Sequence, residues 1–284
     1  MTKRHAQKGF TLVELAISLT IIGLLIGGVL KGKQLMDNAR VASAVAQVAS
    51  VKAATTTFLR TYNGLPGDLK NAHTRIPKCP NCELDNVSWA GDGAVGKTDW
   101  DLRLAQGNST VGGRPIRREE NETLLFWAEL AQAGLLAGVS YDGGTLTGGT
   151  AEFGVHAPEA RIGGGWIVGQ ANGGGTGIQP LAVDYIATSL KPKGLFMVLA
   201  PSPVTPLNAT QGTQVLTPLS AAAIDEKIDD GKALAGSVVA YGFNSASGTP
   251  LQGCFRALTA PESATTYNES IQSKDCGVFV QIND

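Results

Sequence analysis

Charge is scarce in this chain and nearly balanced, with 23 basic and 24 acidic residues among 284. That balance excludes a polycation built to coat nucleic acid. Histidine is scarcer still: His5, His73 and His156 lie in unrelated stretches, and no nucleophile–base pair can be built on them. Proline is absent from residues 31–62, so nothing there forces a helix to stop. The run Phe10–Leu30, FTLVELAISLTIIGLLIGGVL, contains one charge, Glu14. A small-residue cleavage site close behind that run is also missing. Ala42-Ser43-Ala44 comes a dozen residues too late, beyond Lys31, Lys33, Asp37 and Arg40, which excludes an ordinary secretory signal. Glycine is the one excess, 36 residues. Its clusters between Gly143 and Gly177, separated by apolar pieces such as Trp166-Ile167-Val168, predict turns joining short strands, or long loops.

The amino terminus is organised around the apolar run. Lys3, Arg4 and Lys8 precede it without an acid. At 1.5 Å per residue the run makes roughly 30 Å of helix, enough to cross the hydrocarbon core of a bilayer. The basic flank favours a cytoplasmic amino terminus with everything after Leu30 exported, an asymmetry slightly weakened by Lys31 and Lys33. A plain anchor leaves Glu14 unexplained, because a carboxylate within a span costs roughly 2.5–3.5 kcal/mol or more unless it is paired.

Gly9-Phe10-Thr11-Leu12-Val13-Glu14-Leu15, behind a basic leader and ahead of an apolar span, resembles the processing site of type IV pilins and type II secretion pseudopilins. The resemblance implies cutting by a prepilin peptidase between Gly9 and Phe10, N-methylation of Phe10, and an inner-membrane assembly platform as a further partner. It also implies a role for Glu14: pairing with the new α-ammonium of Phe10 on a neighbouring subunit. That ammonium is mostly cationic at neutral pH, and two charges that are each costly in lipid neutralise one another on assembly. Loss of the leader leaves 20 basic against 24 acidic residues, a net charge of −4. Many pilins carry a proline within the span. Here Gly23, Gly27 and Gly28 are its only breakers, which leans towards a pseudopilin-like subunit.

Leu35, Met36, Ala39, Ala42, Val45, Ala46, Ala49, Ala53 and Leu59 recur at helical steps, so one helix is expected from Phe10 to Tyr62. Gly64 is its expected cap and Pro66 its stop. That apolar face could pack on another such helix or on the chain's own sheet. Residues 63–284 then form an exported head, periplasmic or extracellular within a filament. Further helices are expected over Asn121–Leu136, with Gly138 just past the end, and over Leu219–Asp230, with Ser220 as cap and Gly231 as stop. Strands are expected over Gly194–Ala200, Ser237–Phe243, Cys254–Leu258 and Gly277–Ile282. The result is an α+β protein, with a long amino-terminal helix packed on an antiparallel sheet. Leu65-Pro66-Gly67-Asp68 followed by cysteines and Gly91-Asp92-Gly93 is similar to a subset of prepilin-type proteins, as is Ile224–Gly231.

Residues 91–98, GDGAVGKT, fit the phosphate-binding P-loop pattern letter for letter. The context fails, however. The preceding Asp85–Ala90 is too polar and short for a buried strand, and Asp99 and Asp101 would crowd a triphosphate. No ATP is expected on the exported side, so the segment reads as a loop and no nucleotide partner is expected. Asp85, Asp92 and Asp99 offer oxygen ligands for calcium, but in no EF-hand spacing. A solvated acidic turn is the plainer reading, and no cofactor is assigned. Asp225, Glu226, Asp229 and Asp230 raise the same question. Two acids at a helix end oppose its dipole unless a cation or a backbone N–H compensates.

The four cysteines, Cys79, Cys82, Cys254 and Cys276, suggest two disulfides in an oxidising compartment, with three pairings open. A Cys254–Cys276 bridge would resemble the carboxy-terminal disulfide loop of many pilins and would contribute roughly 3 kcal/mol. Cys79 and Cys82 would then pair locally. One CxxC with His73 is too few ligands for zinc. Arg114, Arg117 and Arg118 could touch DNA or an acidic partner, but beside Glu119, Glu120 and Glu122 they read as a solvated run. The reading is a structural filament subunit, not an enzyme. A minor or tip subunit with adhesive or priming work is the alternative, and an exported enzyme or binding domain on an ordinary anchor is the rival.

Overall fold

The computed structural model describes residues 11–82, 90–95, 110–111, 114–115, 122–140, 151–172, 193–203, 211–242, 253–256 and 266–283. Four helices and eight strands occur among them: α1 (Leu12–Tyr62), α2 (Ala72–Arg75), β1 (Thr110–Val111), β2 (Arg114–Pro115), α3 (Glu122–Gln132), β3 (Gly165–Asn172), β4 (Lys193–Ala200), α4 (Pro218–Ile228), β5 (Val238–Gly242), β6 (Phe255–Arg256), β7 (Thr266–Tyr267) and β8 (Cys276–Asn283). The contacts divide the chain into Met1–Arg40 and Val41–Asp284. The second unit therefore begins within α1.

The core of the second unit is a four-stranded antiparallel sheet in the order β3-β4-β8-β5. β4 and β8 lie at its centre, and their residues are buried almost without interruption from Gly194 to Ala200 and from Cys276 to Val280. A strand covered on both faces needs no polar alternation, which is why these read as continuous apolar runs. β3 runs beside β4 over eight residues, from Gly165 opposite Ala200 to Asn172 opposite Lys193. It places Trp166, Ile167 and Val168 in the core. These were only separated apolar pieces in a glycine-rich stretch, and it is pairing with β4 that makes them a strand.

From α1, the core takes Val41, Ala44, Val48, Val51, Ala54 and Phe58. This is not the face that the alanine periodicity picked out. Leu35, Met36, Ala42, Ala46, Ala49, Ala53 and Leu59 are exposed. The core receives the face carrying valines and Phe58, because larger side chains remove more apolar area from water. Gln47 adds directionality: its Oε1 accepts from Trp166 Nε1 at 3.1 Å, and its Nε2 donates to the Glu159 carbonyl at 2.8 Å.

Three helix ends differ from the expected ones. Asn63, not Gly64, takes the left-handed conformation after α1, with φ +50°. Asparagine tolerates that region, and its N–H donates to the Leu59 carbonyl at 2.9 Å. α3 ends at Gln132, and Gly134 (φ +74°) turns the chain before Gly138 is reached. α4 starts earlier than expected, with Thr217 as cap, Pro218 in the first turn, and Ser220 donating its N–H to the Thr217 hydroxyl. Gly231 follows α4 at φ +74°. The strand expected over Cys254–Leu258 is short: β6 covers Phe255–Arg256, and Leu258 lies outside the described residues.

Cys254 is joined to Cys276, and Cys79 to Cys82. The first bridge fastens the segment entering the β6–β7 hairpin to the start of β8.

Candidate functional site

At the start of α1, Thr11 and Glu14 cap the helix reciprocally. Glu14 Oε2 accepts from the Thr11 N–H at 3.0 Å and from the Thr11 hydroxyl at 2.8 Å, while the Glu14 N–H donates to Thr11 Oγ1 at 3.2 Å. This is the Ser/Thr-x-x-Glu capping box, which satisfies two otherwise unpaired backbone donors. The pattern Thr11-x-x-Glu14 stands in the sequence, yet a reading centred on the cost of a carboxylate in lipid passes over it. The cap explains why the helix begins at Leu12. It also gives Glu14 hydrogen-bond donors within its own chain, so the side chain is not bare before any partner arrives.

Behind the cap, α1 presents apolar side chains all round. Leu12, Leu24 and Val29 are 87 %, 72 % and 71 % exposed. Among the described residues α1 is the helix long and apolar enough to cross a membrane, and its apolar window is not buried in the protein. Gly9 and Phe10 lie outside the described residues.

Of the P-loop-like segment, Ala90–Val95 forms turns and bends, and Gly96, Lys97 and Thr98 lie outside the described residues. The N–H groups of Gly91, Asp92 and Gly93 donate to the Asp68 carboxylate at 2.5, 3.2 and 2.8 Å. The site where a P-loop would begin to hold phosphate is thus filled from within the chain. Of the calcium candidates, Asp92 Oδ1 accepts from the Ala94 N–H at 2.9 Å. Asp85 and Asp99 lie outside the described residues.

The second acidic group is brought together. Asp225, Asp229 and Asp230 each offer an oxygen within 4.8 Å of the others. Their partners are already in place. Asp225 accepts from Tyr267 Oη at 2.8 Å and from the Gly231 N–H at 3.2 Å. Asp229 accepts from the N–H groups of Ser237 and Val238. Asp230 pairs with Lys232 at 3.0 Å. Backbone N–H groups and a lysine therefore compensate the acids at the end of α4. Burial pushes the Asp225 carboxyl up to about 6, against the lowering effect of Tyr267 and Gly231.

A third acid is buried inside α3. Glu129 Oε2 accepts from the Gly67 N–H at 2.8 Å, and Glu129 is fully enclosed. Burial drives its carboxyl well above the usual range, and the charges of Asp68 and Glu122 add to the effect; the Gly67 N–H and Arg75 oppose it. The native state therefore holds a proton that the unfolded chain has released above about pH 4.5. Stability from this group is present at low pH and falls as pH rises from there towards the folded value. Glu129→Gln keeps an acceptor for Gly67 without the ionisation. In thermal unfolding across pH 4–9, the variant's midpoint should gain on the parent's as pH rises above about 4.5. A difference that does not change with pH would show that Glu129 does not titrate in this way.

The prokaryotic N-terminal methylation motif matches residues 4–30, covering the basic leader, the Thr11–Glu14 cap and the apolar turns up to Leu30. No curated protein and no solved structure matches the chain. Residues 4–30 therefore carry a prepilin-type segment of the kind found in type IV pilins and pseudopilins. The motif is that of prepilin-type peptidase substrates, and it runs into an apolar helix long enough to cross a membrane, in an α+β arrangement of long helix and antiparallel sheet.

Proposed function

We propose that this protein is a structural subunit of a type IV pilus-like or type II secretion pseudopilus filament, and not an enzyme. Prepilin peptidase cuts between Gly9 and Phe10 and Phe10 is N-methylated. The helix remains in the inner membrane with its amino end cytoplasmic until an assembly platform passes the subunit to related subunits. Residues 63–284 are displayed as the exported head.

The observation that carries this reading is the methylation motif over residues 4–30, continuous with a helix whose apolar side chains have no cover in the protein itself. The exposed alanine face, Ala42, Ala46, Ala49 and Ala53, extends the same argument, because small side chains let a second helix approach closely. The absence of proline from the span favours the pseudopilus member of the pair. A second reading, a minor or tip subunit with adhesive or priming work, draws support from the length of chain beyond α1.

Processing is the direct test. Intact-mass analysis of the membrane-extracted protein should show loss of residues 1–9 and one added methyl group. A chain that keeps its leader in cells with an active prepilin peptidase overturns the filament reading and leaves an ordinary anchored domain.

A further inference from the structure

Three consecutive backbone N–H groups, those of Gly91, Asp92 and Gly93, converge on one anion, and that anion is a side chain of the same protein. Asp68 Oδ1 takes the N–H groups of Gly91 and Asp92, and Oδ2 takes that of Gly93, at 2.5, 3.2 and 2.8 Å. Gly91 and Gly93 both hold left-handed backbone, φ +77° and +85°, which bends the segment into the concave arrangement that binds anions. Asp68 is presented by a rigid turn. Its N–H donates to the Leu65 carbonyl at 3.2 Å, and neighbouring Gly67 is pinned to α3 through Glu129. Asp68 is buried, and the Asp92 side chain bonds instead to the Ala94 N–H.

We infer that residues 91–93 form an anion nest whose resident ligand is the Asp68 carboxylate. The segment that matches a phosphate loop is thus a self-occupied latch fastening the 90–95 turn to the turn after α1. The inference gives Leu65-Pro66-Gly67-Asp68 and Gly91-Asp92-Gly93 a shared reason to occur in one chain: the first supplies the anion and the second its cradle. Burial raises the Asp68 carboxyl while the three N–H groups pull it down, so the latch holds a carboxylate at a depth where a bare one would be costly. The inference does not depend on whether the chain enters a filament.

Removing the resident ligand should empty the nest for a small oxyanion. In the full chain in detergent, Asp68→Ala should lower the thermal midpoint by roughly 5–10 °C. Formate or acetate should recover much of that loss in proportion to its concentration, while chloride of equal ionic strength should not, and the parent protein should show no such response. A variant that folds and gains nothing from formate, acetate or phosphate overturns the inference. If the variant does not fold, the parent decides the matter. The amide protons of Gly91 and Gly93, followed by NMR in isotope-labelled full chain, should move together on acidification with one midpoint. Amides that do not titrate, or titrate apart, overturn it as well.

Discussion

Glu14→Ala is expected to leave the subunit in the membrane and to exclude it from filaments. The variant loses the only charge in Phe10–Leu30, so insertion becomes easier, by roughly 2.5–3.5 kcal/mol on insertion scales. Assembly moves the other way. Breaking a buried pair by removing one partner typically costs about 3–5 kcal/mol, because the surviving charge is left uncompensated. In the pairing that the prepilin resemblance implies, the survivor is the Phe10 ammonium of the neighbour, and an effect of that size exceeds a hundredfold in incorporation. The Thr11–Glu14 cap introduces a competing explanation, since alanine also removes the acceptor for the Thr11 N–H and hydroxyl. Glu14→Gln separates the two. Glutamine serves a capping box as well as glutamate does, but carries no charge for the ammonium. Both variants should fail when filaments are sheared and quantified beside membrane-retained subunit. If Gln assembles like the parent, the carboxylate acts as a helix cap and the ion pair is dispensable.

The other large effect belongs to Gly67→Ala. Gly67 has φ +82°, and a Cβ built there would stand 2.2 Å from the Glu122 carbonyl oxygen and 2.9 Å from the Phe126 nitrogen. Both are α3 backbone atoms and cannot swing aside. Either the turn or the helix must shift, and the Gly67–Glu129 hydrogen bond and the Asp68 latch next to it shift too. Left-handed backbone alone costs a non-glycine residue about 1–2 kcal/mol, so a loss above about 3 kcal/mol, or roughly 6–12 °C in midpoint, is expected once the backbone clash is added. Gly93→Ala is the matched control. It has φ +85° and open space around the same Cβ position, and it should show only the conformational part. Equal losses at the two positions would mean that the contact with α3 contributes nothing.

Much of this architecture is legible without coordinates. The apolar run is by itself long enough to mark a candidate membrane helix, and β4, β5 and β8 announce themselves as apolar runs between turn residues. β3 does not, because Trp166-Ile167-Val168 is flanked by glycines whose loop propensity hides it until β4 supplies a partner. At the helix ends, Asn63 for Gly64, Gly134 for Gly138 and Thr217 for Ser220 are choices between neighbouring residues of similar chemistry.

Residue types at short spacing were enough, by themselves, to mark the amino-terminal segment: Gly9, Phe10 and Glu14 in register before a long apolar run. Local chemistry suffices there because the charge and the hydrocarbon length act within one helix, whereas the cap at Thr11 emerged only with the structure. Which face of α1 enters the core, and which anion the amides of 91–93 hold, were decided only by the tertiary structure. Those outcomes depend on Val48 or Phe58 meeting the core and on Asp68 reaching amides far along the chain. Burial and hydrogen bonding between distant segments leave no periodic signature in the chain.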